Sequence, residues 1–189
     1  MPADRTLPVW SVRLIDELDA MDHRATALVR GLSPEQLNWK AAKDIWSVGQ
    51  CLQHLCVANE VYLPAIANAL ESRPRSPVQD ITPGWFGRWF IRNYIEPSSD
   101  GRRARAPRKV TPAERIDPSI LDVFLRSNEA ARDLIRRAGA HDVNRIRFRN
   151  PFVPLLRFTV GTGLEIVSTH QRRHLLQAER VRQALNFPG

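Results

Sequence analysis

Cysteine is scarce in this chain. Two among 189 residues, Cys51 and Cys56, exclude a disulfide framework. Their five-residue separation on one predicted helix points them to different faces, with Cα atoms too far apart to bridge. No cationic neighbour in sequence stabilises either thiolate, so both read as small buried hydrophobes. Long apolar runs are missing too, and no uncharged stretch supplies the roughly 20 apolar residues of a bilayer span. The opening MPADRTLPVW carries an early acid and no apolar core of the kind a secretory leader needs, so the expected location is cytoplasmic. Lysine is nearly absent as well. Only Lys40, Lys43 and Lys109 occur, and arginine carries most of a formal charge of +8. That charge comes without a helix-turn-helix signature, a finger or a stacking platform, which ranks nucleic acid below small molecules as a partner. Strand runs and internal repeats are likewise lacking.

What remains is helical periodicity. With 43% apolar and 25% charged residues, the 1–189 chain fits a single domain with a substantial core. Trp10, Leu14, Leu18, Met21, Ala25 and Leu28 predict an amphipathic helix from about Leu7 to Gly31. Ser33-Pro34-Glu35-Gln36 reads as a capping box that opens a short turn, and Ser47-Val48-Gly49-Gln50 repeats the logic ahead of a helix from Val48 to about Leu70. Along that helix Cys51, His54, Ala58, Val61 and Ala65 form a stripe, and Pro64 is expected to kink it. Residues 72–118 hold seven of the fourteen prolines and read as a long connection. Within it Thr82-Pro83 caps a short helix bearing Trp85, Phe86, Trp89, Phe90 and Tyr94. Five rings so close together are expected to roof the core or seal a pocket, with a membrane-surface helix or a dimer contact as the alternative. A third long helix starts at Asp117-Pro118 and stops at Gly139, with Ile120, Val123, Phe124, Leu134 and Ile135 inward. A basic loop follows from His141 to Phe158, and a fourth long helix runs from Val160 to about Leu185. The expected architecture is all-α: a four-helix bundle, with a long Pro-rich, aromatic connection between its second and third long helices and a topology other than simple up-and-down.

Three histidines carry the chemistry. His170 and His174 lie four apart, so both project from one side of a helix. His54 falls on an otherwise apolar face of another helix and can be the third. Three neutral imidazoles with a vacant position are what a divalent metal needs to activate water or a thiol. Arg172 and Arg173, two and three residues after His170, are expected to turn away from that edge. Glu165, Glu179, Asn59 and Glu60 are candidates for fixing an imidazole tautomer. The run GRRARAPRK places Arg102, Arg103, Arg105, Arg108 and Lys109 together. It reads as a solvated loop, with anion docking as the alternative. Arg145–Arg149 forms a second such basic stretch.

WSVGQCLQHL (46–55) and THQRRHLLQAERV (169–181), with LNWK before the first and APRKVTP ahead of the third long helix, resemble the signature segments of the DinB-like (DinB/YfiT) superfamily. The resemblance spans about residues 10–186. It implies a four-helix bundle, often homodimeric, with a divalent-metal site whose ligands fall on His54, His170 and His174. His23 and His141 match no family ligand. Some relatives use low-molecular-weight thiols as transferases or isomerases; others are described as metal-dependent hydrolases or damage-inducible proteins. The expected function is therefore a metal-dependent enzyme that activates a thiol, as an S-transferase, or water, as a hydrolase, with zinc, nickel or iron at its centre and a small-molecule substrate. The alternative is a metal- or ligand-binding stress-response protein without turnover.

Overall fold

Four apolar stripes at three- and four-residue spacing become four long helices, and the pairing of those helices places the site. The structure is a computed structural model that describes residues 7–96, 108–153 and 155–189. Its helices are α1 (Val9–Val29), α2 (Pro34–Asn38), α3 (Val48–Leu70), α4 (Trp85–Phe90), α5 (Ile120–Ala138) and α6 (Val160–Arg182). A π-helical turn, Ile91–Ile95, extends α4, and a 3-10 turn covers Arg108–Val110. Among the described residues, α3 packs on α5 and α6, and α1 packs on the same two. The pairs α1/α3 and α5/α6 make no comparable contact and so occupy the diagonals. Helices consecutive in the chain would be neighbours in a simple up-and-down bundle. Here the first and second long helices face each other across it. No helix among the described residues is long and apolar enough to cross a membrane.

The helix boundaries follow local chemistry. Pro8 precedes α1, whose Trp10, Leu14, Leu18, Met21, Ala25 and Leu28 are all buried. Gly31, at φ 75°, takes the left-handed conformation just beyond its end. Capping boxes at Ser33 and Ser47 start α2 and α3. Pro64 sits on the exposed side of an unbroken α3. The carbonyl it leaves without a helical donor belongs to Glu60, itself an exposed residue. The inward stripe of α3 departs from the expected one past Ala58. Tyr62 and Ile66 are buried where Val61 and Ala65 are only half-buried, as a 3.6-residue period drifts from a strict three-and-four count. Val123 is likewise half-buried on α5, whereas Ile120, Phe124, Leu134 and Ile135 are buried.

One element departs from the expected helices and loops. Residues 141–158, read as a loop, contain an antiparallel hairpin, β1 (Arg147–Arg149) and β2 (Arg157–Thr159), with Phe148 opposite Phe158. Each strand alternates exposed arginine, buried phenylalanine and a more exposed residue. Three residues are too few for that alternation to register as a strand signal. The hairpin presses Phe148 against α6 at Gly163, where a Cβ would lie 2.6 Å from the ring and 3.1 Å from Ile66 Cδ1. Gly163→Ala is therefore expected to lower the unfolding free energy by about 1–2 kcal/mol, despite the ~1 kcal/mol gain in helix propensity. A urea midpoint at or above that of the unaltered protein would show that Phe148 can withdraw.

A polar layer crosses the bundle interior. Gln171 Nε2 donates to Asn128 Oδ1 at 2.6 Å, and Asn128 Nδ2 donates to Asp22 Oδ1 at 2.6 Å. Arg132, buried, donates to Asp22, Asp19 and Glu129 at 2.8–3.0 Å. The seam between α1 and α6 is polar as well. Arg13 pairs with Glu165, Ser168 donates to Glu17, and Arg24 grips Glu179 through Nε and Nη2 at 2.8–3.0 Å.

Candidate metal centre

α3 and α6 bring the three predicted histidines together. One nitrogen from each of His54, His170 and His174 lies within 4.8 Å of the others, and His54 Nε2 stands 3.2 Å from His170 Nε2. Two nitrogens bound tetrahedrally to zinc at 2.0–2.1 Å are about 3.3 Å apart. The spacing thus suits a common ion. His23 and His141 lie elsewhere, bonded to the carbonyls of Asp19 and Pro74.

The helix starts aim His54. Ser47 Oγ accepts from Gln50 N at 3.1 Å and Gln50 Oε1 accepts from Ser47 N at 3.2 Å, a cap that begins α3 about two turns before the histidine. The same Gln50 donates through Nε2 to Ala113 O at 2.8 Å, and Gln53 Oε1 accepts from Ala113 N at 2.6 Å. These bonds bind the segment after the 3-10 turn along α3. The Val110 carbonyl then meets His54 Nδ1 at 2.7 Å. A carbonyl only accepts, so Nδ1 carries the proton and Nε2 presents its lone pair to the cluster. His174 Nδ1 is held in the same way by Gln177 Oε1 at 3.0 Å. Trp46 covers both rings, with centroids 4.7 Å from His54 and 5.6 Å from His174.

The tautomer-fixing partners differ from the expected ones. Glu165 and Glu179 are engaged by arginines of α1, Asn59 donates to Ser127 Oγ at 3.0 Å, and Glu60 is exposed. Val110 gave no sequence signal because a backbone carbonyl has none. Gln177 did: it lies three residues after His174, on the same helical side. Arg173 also departs from expectation. Rather than turning away, it lines the cleft and donates to the carbonyls of Tyr94 and Glu96 at 3.0 and 3.1 Å. Arg172 is exposed as expected.

Electrostatics favour neutral rings. Burial lowers the pKa of His54, with the Val110 bond opposing it. Burial, then the charges of His54 and Arg173, push His170 down to about 3. His174 falls well below the ordinary value by burial and by the charges of His170, His54 and Arg173, with Gln177 opposing. Such rings are already in the form that binds metal. Cys51 and Cys56 are free and buried, and burial raises both thiols, Cys56 to about 12. That agrees with a packing role.

The cluster opens on a cleft of about 2030 Å³, walled on one side by Phe86, Trp89, Phe90, Tyr94 and Phe152. Of the five rings around α4, Phe86 and Phe90 pack on Phe158 at centroid distances of 5.9 and 5.0 Å, while Trp85, Trp89 and Tyr94 stay exposed. Arg102, Arg103 and Arg105 lie outside the described residues, Lys109 is exposed, and Arg145, Arg147 and Arg149 point to solvent without lining the cleft.

The family model of the DinB superfamily matches residues 17–178. The chain belongs to the DinB superfamily. No curated protein and no solved structure matches it. The match takes in the whole of α3 and all of α6 but its last turn, so the helices that carry this DinB chain's cluster are within it.

The depressed imidazole pKa values set a pH dependence. A group that protonates at 6.5 when unfolded but lower when folded adds protons on unfolding, so its stabilisation is complete above about 6.5 and is lost as pH falls toward the folded pKa. The depressed carboxyls, Glu129 and Asp117, act only below about 4.5. Chelator-treated protein is therefore expected to melt at progressively lower temperature from pH 6.5 to 4.5, with a shallower slope in His170→Ala. Equal slopes in the two proteins would contradict the assignment.

Proposed function

We propose that His54, His170 and His174 bind one divalent metal ion and that this DinB-superfamily protein is a metal-dependent enzyme acting on a small molecule. One observation carries the reading: three neutral-ring nitrogens within 4.8 Å on the wall of an open cleft, with no carboxylate or thiol joining the group among the described residues. Three protein ligands with an open position mark catalytic rather than structural sites, which are closed by a fourth. A bound zinc, nickel or iron(II) would supply Lewis acidity that lowers the pKa of a thiol or a water at neutral pH.

The chain's own residues then divide the work. Val110 and Gln177 keep Nδ1 protonated on His54 and His174, so their Nε2 atoms stay available. Trp46 shields two rings from water. Arg173 lowers the basicity of His170 and His174, and its positive charge would favour an anion in the cleft beside them. The reaction would be either an S-transfer, in which the thiol sulfur bonds to an electrophilic carbon as that carbon's leaving group departs with the thiol proton, or a hydrolysis, in which water oxygen bonds to an acyl or phosphoryl centre as an alcohol or amine departs with a water proton. The open cleft favours turnover over passive metal storage.

Tag-free protein reconstituted with zinc, cobalt or nickel is expected to hold about one ion per chain by elemental analysis. His54→Ala should retain less than a tenth of it, and Gln177→Leu should bind about 10–100-fold more weakly. A wild-type protein that keeps no metal, or a His54→Ala protein that keeps it all, would sink the reading. Metal-loaded protein that turns over neither thiol–electrophile pairs nor ester, amide and phosphate substrates would remove the catalytic half.

A further inference from the structure

The exposed rings around α4 share its outer side with arginines. Trp85, Arg88, Trp89 and Arg92 recur at three- and four-residue spacing through α4 and into the π-helical turn, and all four are exposed. The opposite side is anchored. Phe86 and Phe90 pack on Phe158, and Gly87 lies so close to α6 that a Cβ would stand 2.9 Å from Thr162 Cγ2. The outer face is thus held in place and left uncovered. Trp85 is 76% exposed, Trp89 43% and Tyr94 50%, with the Trp89 and Tyr94 rings 5.5 Å apart.

The charge of this face is of one sign. Between Asp80 and Glu96 no acidic residue occurs. Arg88 donates to the Pro83 carbonyl at 2.6 Å, and neither Arg88 nor Arg92 forms an ion pair among the described residues. Aliphatic side chains continue the patch. Trp89 and Tyr94 also line the cleft, as does Val153 beyond β1, and Val153 and Leu155 are 41% and 95% exposed. Exposed apolar side chains therefore border the cleft from α4 and from the hairpin.

We propose that this face docks on the surface of an anionic bilayer, with Trp85, Trp89 and Tyr94 at headgroup level, Arg88 and Arg92 on the phosphates, and the rim of the cleft against the lipid. Tryptophan and tyrosine settle where an apolar ring and a polar edge are both accommodated, and guanidinium groups complement the negative surface potential. A second copy fits the face less well, because a two-fold contact would set Arg88 and Arg92 against their own counterparts with no carboxylate to pair. A single-stranded nucleic acid stacks on rings within a groove, whereas the outer side of a helix is convex and Val153 and Leu155 offer no stacking. Those aliphatic groups gain by leaving water. The hairpin arginines stand apart: Arg147, Arg149 and Arg157 alternate with Phe148 and Phe158, and so point away from the side on which α4 packs. No residue of the face is a candidate ligand, so the proposal is independent of the metal reading.

The test sediments the full-length protein, at low ionic strength, with vesicles of phosphatidylcholine alone and of equal parts phosphatidylcholine and phosphatidylglycerol. The mixed vesicles should bind at least tenfold more strongly. Arg92→Gln should weaken that binding about fivefold, Arg92→Lys should preserve it, and Trp85→Ser should weaken it at least threefold. Arg149→Gln removes the same charge from the other side of the hairpin and should stay within twofold. All these positions are exposed, so each variant should melt within about 2 °C of the unaltered protein. No binding to either vesicle, equal binding to both, or equal weakening by Arg149→Gln and Arg92→Gln overturns the proposal. So does a dimer that Trp85→Ser dissociates, which would seat a second copy on the face. Binding of oligothymidylate that Arg92→Gln and Trp85→Ser both weaken would seat a nucleic acid there, and overturns it as well.

Discussion

The packing of α3 against α6 is the constraint on which the rest of the molecule depends. His54 belongs to one helix and His170 and His174 to the other, and only their direct contact brings two Nε2 atoms to 3.2 Å. Within one helix, rings four apart meet because backbone geometry makes them neighbours. Between helices nothing local guarantees it. The third ring arrives through packing of Cys51, Leu52, Leu55 and Leu175, all buried in one cluster flanking the site. Hydrophobic packing of that kind fixes distance well and azimuth poorly, so the site also needs directional bonds.

Those bonds reach the rings from outside the two helices as well as from within. His54 is oriented by a carbonyl 56 residues away, and that carbonyl is held by Gln50 and Gln53 gripping Ala113. The segment ahead of α5 thus works as a brace for the first histidine rather than a spacer. Gly49 permits the close approach: a Cβ there would stand 3.0 Å from Ile116 Cβ. Ser47, Gly49, Gln50 and Gln53 therefore act together to start α3, admit the brace and bond to it. His174 needs no such device, because Gln177 is within reach on its own helix.

Much of this was legible in the sequence. Apolar spacing located the four long helices to within a few residues, and the two capping boxes fixed the starts of α2 and α3. His170 and His174 were legible as a pair, and His54 stood out as a polar residue on an apolar stripe. The misses share a cause. Val110 contributes a backbone atom, which side-chain patterns cannot reveal. The hairpin uses strands three residues long, below the length at which alternation differs from chance. Arg173 was misplaced because an arginine's side chain is long enough to depart from the direction its Cβ sets. Its destination, the carbonyls of Tyr94 and Glu96, lies in a connection whose path no periodicity describes. Glu165 and Glu179 looked available to the imidazoles by proximity in sequence, yet Arg13 and Arg24 of α1 claim them.

The azimuth of α6 is settled from the face opposite the cleft. Gln171 follows His170 directly and so points about 100° around the helix, into the bundle, where Asn128, Asp22 and Arg132 continue the chain of polar bonds. Leucines at those places would tolerate rotation, because dispersion contacts re-form at many angles. A buried amide does not, since turning it off Asn128 leaves unpaired polar atoms at about 1–3 kcal/mol each. The outer seam adds Ser168 on Glu17 and Arg24 on Glu179, eleven residues and so about three whole turns apart on one edge of the same helix. Directional contacts at two azimuths, the seam edge and the Gln171 edge, fix the rotation of α6, and with it the direction in which His170 and His174 point. A cleft that must keep one side open cannot pack its imidazoles from that side. Their orientation has to be set from behind, and a polar layer inside the bundle is the means this sequence uses.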